Sequence, residues 1–154
     1  MAADFDGWKI AEQRIAREAE ERTGTLDLAG LGLEEIPKAL TGLTHLRELR
    51  LGRAAYPSVV VVEGNKSFEG TQNRISHLAP LAGLTALQSL DCASTQVADL
   101  APLARLTALQ SLVCSDTQVA DLAPLARLTA LQSLDCYNTQ VADLAPLARL
   151  TALQ

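Results

Sequence analysis

Residues 87–152 consist of three consecutive copies of one 22-residue unit. The copies 87–108, 109–130 and 131–152 are identical at 19 of 22 positions. A strict period of this length indicates a solenoid, in which each copy forms one coil and buries its apolar side chains against the next coil. Since solenoids usually present a surface rather than an enclosed pocket, the pattern favours binding over catalysis.

Each copy has an extended half and a return half. Leu90 and Cys92 are two residues apart, so they point to one face of an extended segment, while Asp91 and Ala93 point to the other. The return half, residues 99–106, predicts a short helical or 3₁₀ turn capped by Asp99. We therefore expect a right-handed leucine-rich repeat solenoid, with a parallel concave β-sheet and short turns on the convex side.

Two degraded copies precede the three regular ones. The first covers residues 26–43, and the second begins at Leu46 and resumes at Asn73. Asn73 occupies the position at which leucine-rich repeats commonly have asparagine, whereas the later copies have threonine, which can satisfy fewer groups there. The threonines are Thr95, Thr117 and Thr139.

An insertion interrupts the second copy at about residues 53–72. Leu49 and Leu90 are 41 residues apart, which is 19 more than the period of 22. The core of the insertion, residues 59–68, predicts a hairpin with a Gly-Asn turn. It could be a lid over the concave face or a surface loop without a role.

An amphipathic helix is expected ahead of the repeats, ending near Gly24. We expect residues 1–24 to form an N-terminal capping helix and residues 25–154 to form the solenoid, with about five repeats and the start of a sixth. The predicted inner face consists of Trp8, Ala11, Ile15 and Ala19, and the predicted outer face includes Glu12, Arg14, Glu18 and Glu20.

The C-terminal end of the solenoid has no predicted cap. Its last row of inward side chains, which is expected to face water, is Leu134, Cys136, Val141 and Leu144. Further repeats of a longer protein, or another subunit, are expected to cover this end; the alternative is a truncated reading frame with no independent role.

Composition limits the partners. The net charge of −5 disfavours nucleic acid and anionic membranes. The three cysteines are an odd number for a disulfide framework, and the first residues show no apolar signal segment. We therefore expect a cytoplasmic protein.

No motif predicts catalysis, a metal or a cofactor. Stacked cysteines at 92, 114 and 136 favour core packing over a zinc site or disulfides. Residues 62–67 lack the glycines of a phosphate-binding loop. His45 and His77 are expected at the surface, and the aspartates at 99, 121 and 143 as turn caps rather than a calcium site.

The three regular copies differ from one another at only three positions. The first two of these alternate with the buried leucine and cysteine, so they project from the concave face; the third lies at the edge of the strand. Drift of exposed positions after duplication would give the same pattern. The predicted partner-binding residues are Arg50, Asp91, Ala93, Val113, Ser115, Asp135, Tyr137 and Asn138.

The unit LQSLxCxxTQVADLAPLARLTA resembles the 22-residue leucine-rich repeats of bacterial proteins, including internalin-type repeats. The segment Thr25–Pro37, TLDLAGLGLEEIP, resembles the start of bacterial Roco proteins, in which repeats precede a Ras-like GTPase. These resemblances imply two functions: a non-enzymatic scaffold that binds a protein partner, or the sensing segment of a larger Roco-type GTPase. No signal segment of the internalin kind is evident, so a surface adhesin is not expected.

Overall fold

The computed structural model describes residues 5–52 and 60–154. Its parallel sheet has five strands in the order β1-β2-β5-β6-β7, and β3 and β4 form a separate antiparallel hairpin. In chain order the helix and strands are α1 (Gly7–Glu21), β1 (Thr25–Asp27), β2 (Glu48–Arg50), β3 (Val60–Glu63), β4 (Lys66–Glu69), β5 (Ser89–Asp91), β6 (Ser111–Val113) and β7 (Ser133–Asp135).

The register of the sheet follows the sequence period. Leucines that are one repeat apart lie directly opposite each other on neighbouring strands, and the column that they form is Leu26, Leu49, Leu90, Leu112 and Leu134. Each leucine packs beside equivalent leucines, which is why single strands of three residues are stable only in the stack. The predicted leucine-rich repeat solenoid is confirmed.

The return halves form short 3₁₀ turns. Those of the regular copies are Ala101–Leu103, Ala123–Leu125 and Ala145–Leu147; the earlier ones are Lys38–Gly42 and Ala79–Leu81. The carboxylate of Asp99 accepts the backbone N–H of Ala101 at 2.8 Å, and Asp121 and Asp143 make the same bond. Each aspartate thus satisfies a backbone donor at the start of a turn, as expected, although it lies one residue before the N-cap, which is Leu100 in the first regular copy.

Asn73 connects the first and second coils. Its side chain accepts the backbone N–H of Leu33 and donates to the carbonyls of Leu28 and Leu51, each at 2.8 Å. In the next coil Thr95 makes one such bond, from Oγ1 to the Cys92 carbonyl at 2.7 Å. The threonines thus satisfy fewer groups, as the donor and acceptor inventory predicts.

Helix α1 covers the first coil, but the residues that it buries and exposes differ from those predicted for its inner and outer faces. Ile10, Ala11 and Ile15 are buried, whereas Trp8 is 39% exposed and Ala19 is exposed. Glu18, predicted to face solvent, is buried at 4% exposure. The inner stripe of the helix is therefore rotated away from Trp8 and Ala19 and includes a carboxylate.

The predicted hairpin of the insertion is present, although its first predicted residue, Val59, lies outside the described residues. It contacts the N-terminal cap: the Nε of Arg14 lies 2.6 Å from Oε1 of Glu63, and the rings of Phe5 and Phe68 are 5.7 Å apart. Through these contacts the hairpin extends the N-terminal cap. The sequence analysis considered a lid over the concave face or a surface loop without a role, and it did not predict contact with the cap. No helix within the described residues is long and apolar enough to cross a membrane.

Candidate functional site: the concave face of the sheet

The candidate site is the face of the sheet that points away from the leucine core. One row of residues lies on its five strands and a second lies just after the strand ends, and we call them the concave columns. The first column is Asp27, Arg50, Asp91, Val113 and Asp135, which lie opposite one another in the strand register. The second column, two residues further along each coil, is Ala29, Gly52, Ala93, Ser115 and Tyr137.

Charges alternate over the first three residues of the first column. Arg50 lies between two aspartates in the register, and its Nη1 is 3.4 Å from Oδ2 of Asp27. Both side chains are 47% exposed, so this ion pair contributes little to stability. Arg50 therefore remains available to an incoming acidic group.

The aspartates of the first column also have a structural role. Asp135 accepts the backbone N–H of Tyr137 at 3.0 Å, and Asp91 accepts that of Ala93 at the same distance. Asp27 makes the equivalent bond to Ala29 at 2.9 Å. Such bonds from aspartate to the amide two residues later stabilise the turn out of the strand. The sequence signal was an aspartate at the last position of each of these strands.

The third varying position is constrained by the backbone. Ser94, Asp116 and Asn138 have φ values of 55°, 54° and 50°, in the left-handed region that favours glycine, asparagine and aspartate. Asn138 also donates from Nδ2 to Oδ1 of Asp116 at 2.7 Å. Variation at this position is thus limited to residues that accept the turn, and Asn138 is a weaker candidate for partner contact than Tyr137.

Exposure is greatest at the C-terminal strand. Tyr137 is 76% exposed and Asp135 is exposed, while Asp91, Ala93, Val113 and Ser115 are half-buried. The difference follows from position, because residues of β7 have a neighbouring strand on one side only. Tyr137 is accordingly the largest side chain that the concave columns offer to a partner.

The cysteines lie in the core. Cys92 and Cys114 are buried and Cys136 is half-buried, and all three are free thiols. Burial, followed by the neighbouring Cys136 and Asp135, raises the pKa of Cys114 to about 12, so this thiol is not a nucleophile at neutral pH. Among the described residues no group of three or more histidine, cysteine or acidic side chains could hold a metal ion.

A polar cluster under the cap was missed by the sequence analysis. The carboxylate of Glu18 accepts Thr23 Oγ1 at 2.5 Å, the Gly24 N–H at 2.7 Å and His45 Nε2 at 2.8 Å. His45 is therefore a partly buried partner of Glu18 and not a surface histidine, which corrects the expectation; His77 is exposed. Burial alone raises the pKa of Glu18, but the hydrogen bonds from Thr23, Gly24 and His45 outweigh it and lower the pKa below 4.5.

Comparison with known proteins agrees with the fold. A family model described as leucine-rich repeats in two copies matches residues 107–149. No curated protein matches the chain significantly. A plant peptide hormone receptor, RGFR1 in complex with RGF2, is similar over 77% of this chain and 17% of its own, at 16% identity and a TM-score of 0.57, which shows the fold alone.

Two crystal structures from Listeria monocytogenes are more similar in sequence. Internalin C2 is 35% identical with a TM-score of 0.69, over 84% of this chain and 48% of its own. Internalin F is 37% identical with a TM-score of 0.61, over 75% of this chain and 29% of its own. The chain thus spans about half the length of the first structure and less than a third of the second. It contains leucine-rich repeats and is structurally similar to Listeria internalins.

Proposed function

We propose that this chain is a non-enzymatic module that binds a protein partner on the concave columns. The observation behind the proposal is that three coils with an identical core differ only at the sheet face and its edge. Concave faces of solenoids are their usual binding surfaces. The net charge of −5 favours a protein over nucleic acid or an anionic membrane. We also propose a cytoplasmic location, which rests only on the sequence. The alternative, that the chain is the sensing segment of a larger Roco-type GTPase, stays a prediction.

Tyr137 and Asp135 are the proposed anchors. A tyrosine ring supplies a large contact area for a small loss of side-chain entropy, and aromatic residues are frequent at the centre of interfaces. Arg50, Asp91 and Val113 would supply the charged and apolar contacts beside them. The half-buried small residues of the second column would let a partner approach the sheet closely.

Site-specific crosslinking tests the location of binding. A photo-reactive phenylalanine replaces Tyr137 in one variant and Ala148, exposed after the 3₁₀ turn of the same coil, in the other. We expect covalent capture of a protein from position 137 and not from position 148. Equal capture from both positions, or capture from position 148 alone, would contradict the proposal.

Substitution of the anchors tests their contribution to affinity for the captured partner. Tyr137→Ala is expected to weaken binding at least tenfold, which corresponds to about 1.4 kcal/mol. Asp135→Asn keeps an acceptor for the Tyr137 amide while removing the charge, so weaker binding would be assigned to charge. The midpoint of thermal unfolding should stay unchanged, since both side chains are exposed. Unchanged affinity in both variants would exclude these residues as anchors.

A further inference from the structure

A second surface lies at the N-terminal cap, away from the concave columns. A groove runs between helix α1 and the segment that follows β1. One part has a volume of about 1020 Å³ and is lined by Phe5, Trp8 and Thr71, among others. The adjoining part has a volume of about 410 Å³ and shares Trp8, Glu35 and His77 with the first. We call this smaller part the Trp8 notch. No residue of the concave columns lines either part.

Apolar and aromatic side chains line the Trp8 notch. Ile36, Pro37 and Pro80 line it, together with the Trp8 ring. Trp8 is 39% exposed although it belongs to the first turn of a helix whose other large apolar residues are buried. The Trp8 side chain is thus partly packed against the cap and partly accessible to a ligand. The face of an indole attracts cations more strongly than any other side-chain ring.

Two carboxylates that line the notch, which we call the acidic rim, have no ion-pair partner among the described residues. They are Glu12 and Glu35, and neither forms an ion pair with another described residue. By contrast, the nearby Glu34 is paired with Arg74 at 2.5 Å. Lys38 also lines the notch, so its formal charge is −1 with His77 neutral. An indole wall beside two unpaired carboxylates is complementary to a cation with an apolar stem.

We propose that the Trp8 notch binds the side chain of an arginine within an extended peptide segment of a partner protein. The methylene stem would pack on Ile36, Pro37 and Pro80, and the planar guanidinium would stack on Trp8 and donate to Glu12 and Glu35. Arginine fits better than lysine because its planar fork can stack and donate to two carboxylates at once. The larger part of the groove leaves room for the flanking residues of the segment. This surface is independent of binding at the concave columns.

The chain supplies its own reporter, because Trp8 is its only tryptophan. The probe is the blocked pentapeptide acetyl-Gly-Ala-Arg-Ala-Gly-amide, titrated while Trp8 fluorescence is excited at 295 nm. Matched peptides carry citrulline, which has nearly the same shape without the charge, or norleucine, which keeps only the apolar stem. We expect a saturable change with the arginine peptide and at least tenfold weaker binding of the other two. No saturable change, or equal binding of the citrulline or norleucine peptide, would overturn the proposal.

Variants test the acidic rim directly. In Glu12→Gln/Glu35→Gln the arginine peptide should bind at least fivefold more weakly, and 0.5 M salt should then reduce its affinity less than in the unmodified chain. Glu20→Gln is the matched control, since Glu20 is exposed on the same helix but does not line the groove. Equal affinity in the double variant and the control would assign the fluorescence change to a site other than this rim and would refute the proposal.

Discussion

The two ends of the solenoid differ in how far the apolar side chains of the terminal coil are covered. At the N-terminal end, α1 and the hairpin cover the first coil, and Nη1 of Arg14 donates to the carbonyl of Asp27 on the edge strand at 2.8 Å. At the C-terminal end, Leu144 is 61% exposed, whereas its counterpart one coil earlier, Leu122, is 1% exposed. Because the two leucines have identical neighbours in sequence, the difference shows that burial in a solenoid is decided by the adjacent coil.

The expected apolar row at the C-terminal end is confirmed in part. Leu144 faces solvent, while Leu134, Cys136 and Val141 are half-buried, compared with full burial of Leu112, Cys114 and Val119. Exposed apolar surface and an edge strand favour association. That a further repeat or another subunit covers this end stays a prediction.

The largest effect is expected at the contact between α1 and the first coil. In Gly7→Ala the added Cβ would lie 1.6 Å from the carbonyl oxygen of Leu31, so the helix would have to move. Loss of burial of Ile10 and Ile15 would lower the free energy of unfolding by about 3–6 kcal/mol. Chemical denaturation measures this loss.

Gly42→Ala is the control for this substitution. A Cβ at Gly42 meets nothing within 4 Å, so its effect should stay within about 1 kcal/mol. Similar losses in the two variants would show that the cap does not depend on close approach at Gly7.

A matched pair of leucines separates an interior coil from the terminal one. Leu122→Ala should lower the free energy of unfolding by about 3 kcal/mol, because it leaves a cavity in the packed core. Leu144→Ala should lower it by less than about 1 kcal/mol, since most of the side chain is already in water. Equal losses in urea denaturation would mean that the C-terminal end is covered in solution.

The buried carboxylate of the cap predicts a smaller effect that depends on pH. Glu18→Gln removes a charged acceptor from the donors of Thr23, Gly24 and His45, at a cost of about 1–3 kcal/mol at pH 7. The pKa of Glu18 is lower in the folded chain than its ordinary 4.5. Its contribution is therefore complete above pH 4.5 and is lost as the pH falls through the folded pKa.

Denaturation of both proteins at pH 7 and at about pH 3 measures this dependence. The difference between the unmodified chain and Glu18→Gln should shrink in acid. Glu20→Gln, at an exposed position of the same helix, should show no such difference at either pH. A difference for Glu18→Gln that is constant with pH would show that the pKa of Glu18 is the same in the folded and the unfolded chain, and would contradict this prediction.

The period of the sequence was sufficient to predict the coils, the strand register and the capping aspartates, because each of these follows from contacts between equivalent residues. It could not predict where the hairpin docks, since Arg14 and Glu63 are 49 residues apart and belong to no repeat. Nor did it predict the hydrogen bonds of Asp91 and Asp135, which reduce the freedom of two proposed site residues.

Glu18 illustrates a different kind of error. It lies three residues after Ile15 and seven after Ala11, so helical periodicity alone places it on the buried stripe. Its charge led to the opposite prediction, because acidic side chains are seldom buried without partners. A charged residue on an otherwise apolar stripe was the available signal for a bonded carboxylate under the cap.

Hydrogen exchange at one repeated position tests the central claim, that identical coils stack in register and that each coil of this chain is protected by the coil that follows it. The amides of Cys92 and Cys114 donate to the carbonyls of Val113 and Asp135 at 2.9 and 2.8 Å. The amide of Cys136, at the same place in the last coil, has no backbone partner among the described residues. Measured by NMR, exchange should be slow at Cys92 and Cys114 and much faster at Cys136. Fast exchange at all three, or equally slow exchange at Cys136, would contradict the account.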